Sequence, residues 1–156
     1  IETPEQVRAL TDSLRELSGR SDLPILIDQE GGRVARLEPP HWPTFPTGEA
    51  FGKLYETAPL SALEAARVNA LAIALTLRDI GVTVDCLPLL DVPVAGAHDV
   101  IGDRAYGQEP LRVAGEAVQN GWNREPESEW GILNTEINGL HVRSRIESVP
   151  GDYGAF

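Results

Sequence analysis

The segment from Pro24 to Arg36 reads PILIDQEGGRVAR, and the rest of the chain is best interpreted outward from it. Its first four residues are apolar and rich in β-branched side chains, which predicts a buried strand of a parallel sheet. The strand ends at Asp28 and Glu30, which face the same way on an extended chain. Ligands bind at the carboxyl ends of parallel strands, so this end is a candidate site for a polar, hydroxyl-rich ligand.

Predicted helices and strands alternate on both sides of this segment. Thr3 followed by Pro4 has the form of a helix start, and Gly19 is suited to end that helix. The alternation favours a parallel sheet whose strands are joined by helical crossovers. After the first helix we predict a strand over 24–28, a loop over 37–51, a helix over 59–80, a strand over 82–91, a loop over 93–107 and a helix over about 110–120.

The charge balance restricts the classes of partner. The chain has 156 residues, with 13 Lys and Arg against 24 Asp and Glu, so its formal net charge is −11. Such an acidic chain is repelled by the phosphates of nucleic acids and by anionic membrane surfaces. We therefore expect neither nucleic acid nor a membrane as partner.

The remaining composition bears on the cellular compartment and on the extent of the chain. Cys86 is the single cysteine and lies in an apolar run, so we expect a small buried side chain rather than a nucleophile. Neither an uninterrupted apolar run of membrane-spanning length nor a signal segment is found, which predicts a cytoplasmic location. The chain has no Met, so we expect Ile1 not to be a native start and the chain to be a piece of a longer one.

Three ordered motifs carry a family resemblance. IDQEGGRVARL spans residues 27–37, LPLLDV spans residues 87–92, and DVIGDRAYG spans residues 99–107. Together they resemble the family 3 glycoside hydrolases, specifically the bacterial β-N-acetylhexosaminidases of cell-wall recycling. Three motifs in this order are far more specific than any one alone.

The resemblance runs from Ile1 to about residue 120, and it implies an α/β fold. A complete (β/α)₈ TIM barrel needs roughly 250 residues, so the expected fold is a partial barrel with parallel strands, truncated at both ends. We assign residues 1–121 to this partial barrel domain and residues 122–156 to an unmatched tail. A divergent end, a shifted reading frame and a truncated product each explain the tail.

The resemblance also implies an activity. The parent enzyme would perform retaining hydrolysis of terminal β-linked N-acetylglucosamine from peptidoglycan-derived fragments, without a cofactor, and would be a monomer. Its partner would be a small carbohydrate, such as an N-acetylglucosamine-containing muropeptide or disaccharide. Two alternatives stay open, namely a β-glucosidase-type specificity within the family and a non-catalytic sugar-binding remnant.

Three residues match positions of the family that contact substrate. Resemblance implies that Asp28 accepts hydrogen bonds from hydroxyls of the terminal sugar, a role suited to an ionised carboxylate. Arg36 and Arg104 match substrate-contacting arginines, whose planar guanidinium groups suit fixed recognition by several donors. Alternatively, Asp28 caps a turn, the arginines lie on the solvated surface, or Arg104 pairs with Asp103.

Neighbouring charged residues are assigned to the structure of the loop. We expect Glu30 and Arg33 to hold the loop through an internal ion pair rather than to touch ligand. Asp91 ends the second predicted strand and either lies beside the site or is structural. Asp28 and Glu30 are not an acid and nucleophile pair, because two neighbours on one strand end cannot easily flank a bond from opposite sides.

No catalytic residue is assigned. In the family, the nucleophile is an Asp on a later strand and the acid/base is a His, and neither motif is recognisable here. His41, His98 and His141 fall outside the matching motif. No His, Cys and carboxylate spacing suggests a metal. The pair Gly31-Gly32 permits a sharp turn or a close backbone approach, but it does not form a phosphate-binding pattern.

Overall fold

A computed structural model describes residues 1–96 and 98–119 together with four short strands nearer the carboxyl terminus. The unmatched tail predicted for residues 122–156 otherwise lies outside the described residues. In chain order the elements are α1 (Pro4–Ser18), β1 (Leu26–Ile27), α2 (Gly48–Thr57), α3 (Pro59–Arg78), β2 (Val84–Asp85), a 3₁₀ turn (Gly102–Arg104), α4 (Pro110–Gln119), β3 (Gly131–Ile132), β4 (Thr135–Ile137), β5 (Leu140–Val142) and β6 (Arg145–Ile146).

The two central strands are parallel, as the alternation of elements predicts. Leu26 lies opposite Val84, and Ile27 lies opposite Asp85. The connection between these strands contains α2 and α3, so the unit is strand, helices, strand. The four later strands pair antiparallel, β3 with β6 and β4 with β5. The described strands do not close a barrel, and the complete barrel stays a prediction.

Helix α1 begins and ends where the local signals place it. The Thr3 side chain accepts a hydrogen bond from the Gln6 N–H, which satisfies one of the free donors of the first turn. At the other end Gly19 adopts a left-handed conformation with φ of 67°. This conformation is accessible to glycine at little cost, and it ends the helix.

Polar side chains on one face of α1 cap the carboxyl end of α3, and the leucines of α1 do not lie on this buried face. Arg8 Nε, Thr11 Oγ1 and Arg15 Nη2 donate to the carbonyl oxygens of residues 79, 80 and 81, at 2.7, 3.0 and 2.6 Å. These carbonyls lie at the end of α3, where no later helical N–H can reach them. As a result α1 turns a polar face inward, and its leucines at positions 10, 14 and 17 are exposed.

The hydrophobic core lies between the parallel strands, α1, α3 and the loop over residues 37–47, which contains four prolines. Residues Ile73 and Leu77 of α3 are almost completely buried in it, as is Trp42 of the loop. The loop therefore covers the core with an aromatic side chain instead of standing free in solvent. The other buried members of this cluster are Val7, Leu37, Ile80, Val82 and Leu87.

The predicted bounds of one loop and of both strands are wrong, and the strand predicted over 24–28 has ladder pairing only at Leu26–Ile27. The loop over 37–51 ends early, because α2 begins at Gly48 with Thr47 at its N-cap position. The strand predicted over 82–91 has ladder pairing only at Val84–Asp85. Pro88 has no N–H to donate to a neighbouring strand, so the apolar run continues as irregular chain.

Helix α3 is long and apolar enough, by length and composition alone, to cross a membrane, and it is the one such helix within the described residues. Core helices pass the same test. Glu64 and Arg67 interrupt its apolar sequence, and the helix packs against α2 and α4. Its buried side chains, Ala62, Ala66, Ala70, Ile73, Ala74 and Leu77, contribute to the protein interior.

At two of its glycines, helix α2 lies directly against the backbone of the loop that follows β2. A Cβ atom added at Gly48 would collide with the carbonyl oxygen of Arg104, and one added at Gly52 would collide with that of Tyr106. The two glycines are four residues apart and so occupy one face of the helix. This face fixes the distance between α2 and the segment that carries Arg104.

Replacing Gly52 by Ala is expected to lower the free energy of unfolding by about 1–2 kcal/mol. The cost of overpacking against fixed backbone exceeds the gain in helix propensity. Gly115→Ala in α4 is the matched control, because an added Cβ there meets no atom within 4 Å. The control should stabilise the protein by about 0.5–1 kcal/mol. Urea denaturation measures both, and equal effects of the two substitutions would contradict the packing argument.

Candidate active site

The loop after β1 is folded back on itself by a buried amide. Gln29 is almost completely buried, and its Oε1 accepts hydrogen bonds from the N–H groups of Arg36 and Leu37 at 2.8 and 3.0 Å. Its Nε2 donates to the carbonyl oxygen of Leu37 at 3.1 Å. Three bonds from one side chain place Arg36 beside the strand end. This role of Gln29 could not be predicted from the sequence, because its partners lie seven and eight residues away.

The Gly pair makes the close backbone approach that its sequence predicts. Gly31 has φ of 93° and Gly32 has φ of 54°, a region that favours glycine. A Cβ at Gly31 would collide with the carbonyl oxygen of Pro46, and one at Gly32 with the side chain of Thr47. The pair therefore allows the β1 loop to pack onto the chain just before α2.

A two-fold ion pair joins the β1 loop to the β2 loop. Arg104 Nε lies 2.8 Å from Glu30 Oε2, and Arg104 Nη2 lies 2.7 Å from Glu30 Oε1. The side chains are only 20% and 9% exposed, respectively. The Glu30 hydrogen bond, with smaller contributions from nearby charges including Asp91 and Asp28, raises the pKa of Arg104 further above its usual value. Arg104 is therefore fixed beside the end of β1.

A second ion pair joins the same two loops. Arg33 Nε lies 2.9 Å from Asp103 Oδ1, and Arg33 Nη2 donates to the carbonyl oxygens of Asp99 and Ile101 at 2.8 and 3.0 Å. Glu30 and Arg33 thus hold the β1 loop through ion pairs, as expected. However, their partners, Arg104 and Asp103, lie in the β2 loop, so Glu30 and Arg33 do not pair with each other. The suggested pairing of Asp103 with Arg104 is wrong, because Asp103 pairs with Arg33 and Arg104 pairs with Glu30.

Asp28 and Arg36 form a looser and more open pair. Arg36 Nη2 lies 3.4 Å from Asp28 Oδ2, and each side chain is about half exposed. Such a pair contributes little to stability, because water screens both charges. Asp28 and Arg36 are therefore free to exchange this contact for a ligand.

The expectation that Cys86 is buried is wrong, because its side chain is exposed. Leu26 lies opposite Val84 in the parallel sheet, so two residues further along each strand Asp28 lies beside Cys86. Leu26 on the same face is also exposed. Desolvation raises the pKa of the Cys86 thiol to about 11, and its hydrogen bond to Asp28 adds to the rise. The thiolate is therefore scarce near neutral pH, which agrees with the expectation of no nucleophilic role.

Asp85 is a buried carboxylic acid at the end of β2, and no sequence motif marks it as a site residue. It is 3% exposed, and its Oδ1 accepts a hydrogen bond from the Gln29 N–H at 3.0 Å. Its Oδ2 is buried without a hydrogen-bond partner among the described residues. Burial raises the pKa of Asp85 to about 7, and the charges of Glu30 and Asp28 act in the same direction.

The structure brings the three predicted substrate-contacting residues to one end of the parallel strands. Asp28 directly follows β1, Arg36 is held back against it, and Arg104 comes from the loop after β2. Asp91 is close enough for its charge to act on Arg104. Carboxylate acceptors and guanidinium donors at one edge form an arrangement that can bind a polyhydroxylated ring.

Two further features limit the chemistry of this edge. Among the described residues no group of three or more His, Cys, Asp or Glu side chains is placed to hold a metal ion. A cavity of about 420 Å³ lies next to the site, between α2 and the chain that follows Arg104, and it is lined in part by Glu49, Lys53 and Arg112. Asp28 and Arg36 do not line this cavity, and Arg36 instead lines a second one, of about 440 Å³, together with Glu38 and Pro40.

The family is shown by a match that covers most of the chain. The model of the glycosyl hydrolase family 3 N-terminal domain matches residues 1–125. The chain belongs to glycosyl hydrolase family 3. The resemblance seen in the three motifs is thereby confirmed, whereas the division at residue 121 stays a prediction.

Two curated relatives carry the name beta-hexosaminidase. A protein named beta-hexosaminidase from Aromatoleum aromaticum is 37% identical over 110 residues, which is 70% of this chain and 30% of that protein. A beta-hexosaminidase from Xanthomonas campestris is 38% identical over 109 residues, or 70% of this chain and 32% of that protein. The chain therefore spans about a third of the length of these relatives.

Solved structures of family 3 enzymes have a similar fold. NagZ from Neisseria gonorrhoeae, in complex with N-trifluoroacetyl-D-glucosamine, matches with a TM-score of 0.71 and 28% identity over 78% of this chain and 35% of that one. A family 3 β-N-acetylglucosaminidase from Paenibacillus matches with a TM-score of 0.65 and 32% identity over 76% of this chain and 22% of that one. The described part of the chain thus has the fold of the matching part of these enzymes.

Proposed function

We propose that this chain is the amino-terminal part of the barrel of a β-N-acetylhexosaminidase. The full-length protein would perform retaining hydrolysis of terminal β-linked N-acetylglucosamine from peptidoglycan-derived fragments. The observation that carries the proposal is the meeting of Asp28, Arg36 and Arg104 at the carboxyl ends of two parallel strands. The names of the curated relatives and the ligand of the gonococcal NagZ structure support the choice of sugar.

In this proposal each of the three residues binds the sugar and does not react with it. Asp28 accepts hydrogen bonds from two hydroxyls of the terminal ring, which an ionised carboxylate with two oxygens can do. Arg36 and Arg104 donate to oxygens of the same ring. Fixing the ring in this way holds the glycosidic bond for groups supplied by the rest of the barrel.

The cellular setting belongs to the same proposal. A small soluble muropeptide or disaccharide as substrate agrees with an exposed, polar edge, where the side chains of Asp28 and Arg36 are about half exposed. We propose a cytoplasmic, monomeric enzyme that needs no cofactor.

Replacing Asp28 by Ala in the full-length protein is expected to lower kcat/KM about 10- to 100-fold. One or two charge-assisted hydrogen bonds would be lost, each worth roughly 1.5–3 kcal/mol. The fold should persist, because Asp28 is half exposed and its contacts are weak ones, a long one with Arg36 and a hydrogen bond with the Cys86 thiol. Hydrolysis of a chromogenic N-acetylglucosaminide measures the effect.

Asp22→Ala is the control, because Asp22 is also an exposed aspartate paired with an arginine, at 3.1 Å. It should leave kcat/KM unchanged. Unchanged kinetics of Asp28→Ala would show that Asp28 is structural. Faster hydrolysis of a glucoside than of the N-acetylglucosaminide would indicate a β-glucosidase specificity, and no hydrolysis of either would indicate a sugar-binding remnant.

A further inference from the structure

The Glu30 and Arg104 pair differs from an ordinary surface ion pair. It joins two loops that are 74 residues apart in sequence, and both carboxylate oxygens of Glu30 are used. Its two contacts, at 2.7 and 2.8 Å, are short, and Glu30 is 9% exposed. A bidentate pair shielded from water fixes the plane of the guanidinium as well as its position.

The backbone of Arg104 is fixed independently of its side chain. Gly48 lies directly under the Arg104 carbonyl, and Asp103 is held by Arg33. Both contacts locate the Cα atom of Arg104, but neither determines where its long side chain goes. Of the described contacts that do, the Glu30 pair is the shortest.

The donors of Arg104 are only partly used by the protein. A guanidinium group has five N–H donors. In the described part of the chain, Glu30 accepts from two of them and the carbonyl oxygen of Val100 accepts from a third, at 3.3 Å. Two N–H donors remain for oxygen atoms of a ligand.

The pair of Asp28 with Arg36 provides the contrast. It has one contact, at 3.4 Å, between two half-exposed side chains. Its members can separate at little cost when a ligand arrives, whereas separating Glu30 from Arg104 would leave a buried carboxylate without its partner. This end of the parallel strands therefore carries one fixed arginine, Arg104, and one movable arginine, Arg36.

We propose that Glu30 is a positioning residue, which fixes the guanidinium of Arg104 so that its two remaining donors are held ready for the sugar bound by Asp28. The inference rests on the proposed function and adds to it a role for Glu30. Without Glu30, Arg104 would have to lose side-chain freedom at the moment of binding, which weakens affinity.

The test is a double-mutant cycle on the full-length protein with N-acetylglucosamine as the probe. The dissociation constant is measured by NMR titration for the parent protein, Glu30→Gln, Arg104→Ala and the double variant. Glu30→Gln is expected to weaken binding about tenfold in the parent but to have no further effect once Arg104 is absent. A merely structural role would lower stability without this coupling in affinity.

Glu64→Gln is the matched control. Glu64 makes the same two-fold contact with Arg67, at 2.8 and 2.9 Å, on the exposed surface of α3. It should not change sugar affinity. Failure of the parent protein to bind N-acetylglucosamine would overturn the proposed function together with this inference, whereas binding that Glu30→Gln leaves unchanged would overturn the inference alone.

A second readout does not depend on sugar binding or on a variant folding. Phenylglyoxal modifies accessible arginines, and the rate at each site can be followed by peptide mass spectrometry. Arg104 in the folded parent protein should react at least about fivefold more slowly than Arg36, because its contacts with Glu30 are shorter and less exposed. Equal rates at the two arginines would show that Glu30 does not fix Arg104.

Discussion

Asp85→Asn is expected to stabilise the protein at pH 8 by roughly 4 kcal/mol and to have almost no effect at pH 4. The pKa of Asp85 is raised from 3.8 to about 7 in the folded state. Each unit of pKa difference corresponds to about 1.4 kcal/mol, so a difference of about three units gives this value. Asn preserves the acceptor for the Gln29 N–H without carrying a charge.

The sign follows from which state binds the proton more tightly. Between pH 4 and pH 7 the unfolded chain releases the Asp85 proton and the folded chain keeps it, so the contribution of Asp85 to stability falls as pH rises. Above pH 7 both states are ionised and the penalty is constant. Below pH 4 both are protonated and the penalty is absent.

Urea denaturation of both proteins at pH 4, 5.5 and 8 measures the difference in unfolding free energy. Asp22→Asn is a control of opposite sign, because the hydrogen bond from Arg20 lowers the pKa of Asp22. A gap between Asp85→Asn and the parent that does not change with pH would show that Asp85 does not carry the penalty.

We also expect that the 156-residue chain alone does not hydrolyse N-acetylglucosaminides. A retaining glycosidase needs two groups on opposite sides of the bond, about 5 Å apart. At this edge Glu30 is bound through both oxygens to Arg104, and Asp85 is buried, so neither can serve as a partner to Asp28. In the proposed full-length enzyme, the reacting groups would come from outside the matched residues.

We expect the chain to release chromophore no faster than buffer does, a rate loss of at least about a millionfold relative to a complete enzyme. The assay compares the purified chain with the full-length protein at equal concentration. Hydrolysis by the chain that disappears in Asp28→Ala would contradict this expectation, and would place both reacting groups within residues 1–156.

Local signals predicted the parts of the fold that depend on near neighbours. The cap at Thr3, the stop at Gly19 and the Gly31-Gly32 turn each depend on backbone conformation or hydrogen bonds within a few residues. Parallel pairing followed from the alternation of strands and helices. These features are readable because a short sequence determines them.

The partners of charged and buried groups could not be predicted in this way. Glu30 pairs with Arg104 across 74 residues, whereas the sequence suggested the near neighbour Arg33. Asp85 lies inside the strand predicted over 82–91, and its burial depends on how β2 packs and on the Gln29 N–H, which is 56 residues away. The start of α2 at Gly48 was missed because its glycines serve contacts with a distant backbone.

Asp28, Arg36 and Arg104 are proposed to form the binding site for the terminal sugar. A crystal structure of the full-length protein with N-acetylglucosamine is the sharpest test of this site. We expect both Asp28 oxygens within hydrogen-bond distance of sugar hydroxyls, Arg104 still paired with Glu30, and the Asp28–Arg36 contact lengthened or broken. A sugar bound elsewhere, for example in the cavity beside Lys53 and Arg112, would contradict this proposal.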